Sequence, residues 1–121
     1  MKRTFQYKIK PVKPFGQTDQ DEVVDFGFSG SMTIQMPEFL ERMKLAKDQQ
    51  KLEEDIELIA KSAVDICKKY ISEMSISHED IDETIESVED LTIFEGGVSI
   101  LFDVYNQILR GWTLSPKSVK P

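Results

Sequence analysis

The sequence predicts an α+β fold in which a small N-terminal antiparallel β-sheet is followed by three to four helices. Three observations carry this. Apolar and polar residues alternate between residues 4 and 36, as in half-buried strands. From Leu52 to Met74 the apolar residues recur every three or four positions, which is helical spacing. Proline and glycine punctuate the chain between such stretches, at Pro11, Pro14, Gly16, Pro37, Gly96 and Gly97. A length of 121 residues suits one domain able to bury its own apolar core. Residues 1–114 are expected to form it, with strands within 4–36, helices within 37–111, and 115–121 as a flexible tail.

Thr4 to Lys10 places Phe5, Tyr7 and Ile9 on one side and Gln6, Lys8 and Lys10 on the other, which predicts the first strand. Pro11, Pro14, Gly16 and the polar run to Asp21 predict an exposed loop. Val24, Phe26 and Phe28 then share one face of an extended segment, Ser29-Gly30 offers a turn, and Met32, Ile34 and Met36 alternate again. A β-hairpin over 22–36 is therefore expected, bringing the sheet to about three strands.

Pro37 suits a first helical position, and Phe39, Leu40 and Met43 follow at helical spacing. Lys47 to Lys51 lacks any apolar residue, so a break between two helices is expected there. The next helix carries the stripe Leu52, Ile56, Ile59, Ala60, Ala63, Cys67, Tyr70, Ile71 and Met74. It is supported by the i,i+4 pairs Glu57/Lys61 and Asp65/Lys69. In Ser75 to Thr92 the apolar residues are sparse, but Ser77 and Ser87 each precede an acid by three positions. That pattern predicts one or two short capped helices. Gly96-Gly97 suggests a hinge or the start of a helix, and Val98, Leu101, Phe102, Tyr105, Ile108 and Leu109 predict a last helix ended by Gly111.

Charge narrows the function. Residues 70–109 hold ten carboxylates and no Lys or Arg, whereas 1–14 and 110–121 hold eight basic residues and no acid. The net charge of −7 argues against nucleic acid, whose phosphates demand clustered cations. No apolar run approaches the ~20 residues of a membrane span, and the first residues do not resemble a signal-peptide core. A cytoplasmic protein is expected, in the host cell cytoplasm if the source is viral. A single cysteine, Cys67, cannot form an internal disulfide and lies on an apolar stripe, where it should pack as a small hydrophobe.

No catalytic, cofactor or metal site is expected. Asp80-Ile81-Asp82-Glu83-Thr84 matches the DxDxT pattern of a phosphatase superfamily, but the polar residues before it do not suit a buried parallel strand. As a calcium loop the same segment has Ile85 where glycine is needed and Leu91 where a bidentate glutamate is needed. His78, the one histidine, fits a solvated position at a helix start better than a general base. Ile81, Ile85, Val88, Leu91 and Phe94 alternate with the acids, and Trp112 follows the last helix. These six are the candidate partner-binding residues, because apolar anchors rimmed by charge suit a protein contact. The basic first strand is also a candidate for pairing with another copy.

Three segments resemble a known family: Asp21 to Gly30, the Pro37-Glu38-Phe39-Leu40-Glu41 helix start, and Ser87-Val88-Glu89-Asp90-Leu91 before a helix closing at Ile108-Leu109-Arg110-Gly111-Trp112. Together they are similar in pattern to tail assembly chaperones of long-tailed bacteriophages, over approximately residues 20 to 115. The resemblance implies a small, non-enzymatic, α+β or largely helical protein, absent from the finished virion, that binds the tape-measure protein and recruits tail-tube subunits. It transfers no residue-level binding motif. The alternative expectation is a small structural virion protein, such as a tail or head-tail connector or completion component.

Overall fold

The computed structural model describes residues 3–16, 22–52 and 54–110. Eight elements follow in order: β1 (Thr4–Lys8), β2 (Phe28–Gln35), α1 (Phe39–Gln50), α2 (Ile56–Tyr70), β3 (Ile71–His78), β4 (Ile81–Ile85), α3 (Val88–Leu91) and α4 (Glu95–Arg110). The four strands form one antiparallel sheet in the order β1-β2-β3-β4. The α+β class is as expected. The sheet, however, draws two of its four strands from the chain after α2.

Alternation along β1 and β2 works as predicted on each strand: Tyr7, Met32 and Ile34 are buried, and Gln6 and Ser29 are exposed. The predicted hairpin over 22–36 does not form. Ser29 and Gly30 lie inside β2, paired with Ser77 and Ile76, so the turn is elsewhere. Of residues 22–27 only Val24 is bridged, to Val12. The Asp25 side chain accepts the Gly27 N–H at 2.9 Å and Gly27 takes φ 84°, a local turn that competes with strand pairing. Phe26 instead turns its ring toward the first turn of α4.

The expected break after the first helix is present, because α1 stops at Gln50 and α2 begins at Ile56. Asp55 caps α2 by accepting the Leu58 N–H at 3.2 Å. Pro37 sits two residues before α1 rather than in it, with Glu38 at the N-cap. α2 ends earlier than its stripe suggests. The Ile71 backbone is already extended while its N–H still reaches the Cys67 carbonyl, so the chain leaves the helix straight into β3. Met74 and Ile76 then face the core at strand spacing, and Ser72, Ser75 and Ser77 face solvent.

The segment expected to hold short helices is mainly a β-hairpin. Glu79 and Asp80 form its turn, and β4 returns along β3. Ser77 is a strand residue, not a cap. Ser87 does cap, accepting the Asp90 N–H at 3.2 Å and starting α3. Gly96 and Gly97 lie in the first turn of α4, and close packing explains both. A side chain at Gly96 would strike the Phe26 ring, and one at Gly97 the Leu91 carbonyl.

One face of the sheet is covered by helices. Ala63, Ile66, Cys67 and Tyr70 of α2 and Ile100, Leu101, Val104, Tyr105 and Ile108 of α4 share a buried cluster with the inward strand residues. The opposite face is polar, with Gln6, Thr33 and Ser75 among the residues along it. No helix among the described residues is long and apolar enough to cross a membrane. Gly111 and the 115–121 tail lie outside the described residues.

Candidate functional site

Helix α1 buries none of its side chains. An isolated 12-residue helix is marginal in water, so something must fasten it. Polar contacts do much of that work. Tyr70, at the end of α2, donates its hydroxyl to Glu41 Oε1 at 2.5 Å, and Lys69 Nζ reaches the same oxygen at 3.2 Å. Tyr105 of α4 donates to Gln49 Oε1 at 2.6 Å. Between them Leu45 packs against the core. Residues 41, 45 and 49 are spaced i, i+4, i+8 and define the inward side.

The other side is apolar. Phe39 is 61% exposed, Leu40 77% and Met43 53%. Burying a side chain of this size is worth ~1.5–3 kcal/mol, so three on little more than one turn form an unusual unspent surface. Its surroundings are basic rather than acidic. The Arg42 guanidinium lies 5.3 Å from the Phe39 ring centroid, and Lys44 and Lys47 are exposed. A second apolar cluster, Ile56 and Leu58, is exposed on the first turn of α2. It lies ~20 Å along that helix from the Tyr70 end that clasps Glu41.

Local electrostatics follow from the clasp. The Tyr70 hydrogen bond, and then that from Lys69, hold the Glu41 carboxyl below its ordinary range. Burial, then the Glu41 carboxylate, pushes the Tyr70 hydroxyl up. The Glu41 hydrogen bond raises Lys69. All three shifts favour the observed pairing at neutral pH.

The residues expected to bind a partner are placed differently. Ile85, Val88 and Leu91 are 5%, 6% and 0% exposed and belong to the core, so no partner reaches them on this surface. Ile81 is half-buried on an edge strand. Phe94 is half-buried in an aromatic group, edge-on to Phe28 at 5.9 Å and stacked with His78 at 6.2 Å. Trp112 lies outside the described residues. The interleaved isoleucines thus serve one side of a hairpin and a short helix, and the acids between them serve the solvated side.

The remaining candidates are structural. His78 ends β3 rather than starting a helix. Its Nε2 is 2.9 Å from the Phe26 carbonyl, and its Nδ1 accepts the Asp80 N–H at 3.0 Å, a set satisfied by the neutral Nε2–H tautomer. Cys67 is fully buried, donates to the Leu101 carbonyl at 3.4 Å, and has its thiol pushed up to about 12 by burial. The Asp80–Thr84 segment spans a turn and an antiparallel edge strand, not the end of a buried parallel one. Among the described residues no group of three or more His, Cys, Asp or Glu is placed to hold a metal ion.

The sequence predicts the helix that begins α1 but does not single out its outward face as a site, because apolar residues at helical spacing do not show by themselves whether they are covered. One signal separates α1 from α2. The stripe of α2 continues from its middle to its end, whereas beyond Met43 the outward positions of α1 are Lys44, Lys47 and Gln50. Comparison with protein-family models, with curated proteins and with solved structures finds no match to this chain.

Proposed function

We propose that this protein is a non-enzymatic tail assembly chaperone of a long-tailed bacteriophage, acting in the host cytoplasm, where it binds the tape-measure protein and recruits tail-tube subunits. The observation that carries the reading is the outward face of α1. Phe39, Leu40 and Met43 are displayed on a helix fastened by its polar side, the reverse of the arrangement that buries an amphipathic helix. Such a face suits an amphipathic helix laid along it, and a tape-measure protein is expected to be long, helical and partly apolar. Arg42, Lys44 and Lys47 favour acidic side chains beside the apolar stripe of that client. The charge rim at this contact is therefore basic.

The test is capture from induced or infected cells with tagged protein, alongside mass spectrometry of purified particles. Recovery of a long helical protein and a tube subunit, with this chain absent from particles, is the expected result. Recovery of neither contradicts the proposal, and its presence in finished particles favours a structural virion component instead.

A further inference from the structure

The two edges of the sheet carry opposite charge. Among the described residues no strand covers the outer side of β1 or of β4. Lys8 ends the first edge strand, Arg3 and Lys10 flank it, and no acid occurs before residue 19; Asp82 and Glu83 lie within the second, Asp80 in the turn before it, and no Lys or Arg occurs between 70 and 109. Among the described residues none of these six is used in an internal ion pair. Both edge strands are five residues long.

The backbone of β1 is poised for a further partner. Met36 N–H bonds the Arg3 carbonyl and Ile9 N–H bonds the Gly30 carbonyl, so the odd-numbered residues face β2. In an antiparallel ladder the alternate residues Thr4, Gln6 and Lys8 then turn their peptide groups outward. Charged edges ordinarily prevent pairing between copies. Here they guard only against like edges, because β1 against β1 sets cation on cation and β4 against β4 sets anion on anion. The unlike pair is attractive, and its direction is right. In this sheet β1 and β3 run the same way, so β1 of a second copy placed beside β4 continues the antiparallel alternation.

We infer that copies of this protein associate head to tail, the basic β1 edge of one adding to the acidic β4 edge of the next. The contact is heterologous, so it extends into an open chain or closes as a ring rather than stopping at a symmetric dimer. It needs no phage partner and stands apart from the proposal for α1.

Analytical ultracentrifugation over a range of protein concentrations tests it. At low salt the weight-average mass of the wild type should rise with concentration. It should fall back in about 1 M NaCl, where charges are screened beyond ~3 Å. The sign is diagnostic, because screening the net charge of −7 would by itself promote association. Lys8→Glu/Lys10→Glu and Asp82→Lys/Glu83→Lys should each lose association at least tenfold while keeping the wild-type circular dichroism, and an equimolar mixture should regain it. Lys44→Glu/Lys47→Glu on α1 should associate as the wild type does. A wild type that stays monomeric at low salt, association that grows with salt, folded edge variants that associate normally or do not complement, or loss of association in the α1 variant would each overturn the inference. The salt series on wild-type protein decides the matter even if an edge variant fails to fold.

Discussion

Tyr7 on β1 donates its hydroxyl to Asp103 on α4 at 2.6 Å, tying the first strand to the last helix across 96 residues of chain. Gln107 Nε2 bonds the same carboxylate oxygen at 2.9 Å. The tyrosine ring is 3% exposed, so one side chain contributes both to the core and to a polar bolt at its margin.

Removing only the bolt should be measurable. Tyr7→Phe keeps the ring and deletes the donor to a charged acceptor, and a loss of about 1.5 kcal/mol is expected in urea unfolding. Asp103→Asn, which can still accept, should cost less.

All three tyrosines of the chain are held un-ionised above their ordinary value of 10.0. Burial is the largest cause at each, joined by hydrogen bonding to Asp103 at Tyr7 and to Glu41 at Tyr70. A raised folded value means the stabilisation is complete below the unfolded value and is lost as pH rises through the folded one. Tyrosinate absorbance should therefore lag behind that of free tyrosine above pH 10 and then appear together with loss of the far-ultraviolet dichroism. Ionisation of all three side chains in a still-folded protein would contradict the packing described.

Glu41 provides the acid counterpart. Its folded value is depressed, first by the Tyr70 hydrogen bond and then by Lys69. Its contribution is therefore present above the unfolded value of 4.5 and is lost as pH falls through the lower folded one. In a carboxyl-detected NMR titration, Tyr70→Phe should move the Glu41 midpoint up toward 4.5. It should also speed amide exchange in α1 more than in α2 or α4. An unmoved midpoint would show that the clasp does not hold in solution.

Gly97→Ala tests the start of α4. The added methyl would meet the Leu91 backbone carbonyl, which cannot swing away as a side chain can. A loss of about 3 kcal/mol in denaturant unfolding is expected, although alanine is ordinarily the better helix former.

The elements legible in the sequence are those with one unambiguous period. Phe5, Tyr7 and Ile9 could only be a strand, and the stripe of α4 from Val98 to Leu109 could only be a helix. Ambiguity hid β3 and β4. Cys67, Tyr70, Ile71 and Met74 fit helical spacing, yet Met74-Ser75-Ile76-Ser77-His78 fits a strand as well, and the serines weaken any helix. In β4 the flanking residues Ile81 and Ile85 are four apart, which suits a helix, while the polar residues between them suit an exposed edge. The proposed partner surface was hidden for a different reason. Alternation of isoleucine with acid marks any half-buried strand or helix, so it pointed to residues 81–94, whose apolar side chains largely close the core. Phe39, Leu40 and Met43 have the helical spacing of a covered stripe, and only the tertiary structure shows that among the described residues they stay exposed.

If this face of α1 grips a helical partner, as proposed, the dissociation constant of a helical tape-measure segment reports that grip. Phe39→Ser/Leu40→Ser should weaken binding by about 100-fold or more relative to wild type, since each covered side chain is worth ~1.5–3 kcal/mol and 1.4 kcal/mol is tenfold. Circular dichroism should be unchanged, because neither side chain is buried in the free protein. Equal affinity of variant and wild type, or no binding by the wild type, would contradict the proposed role of this face.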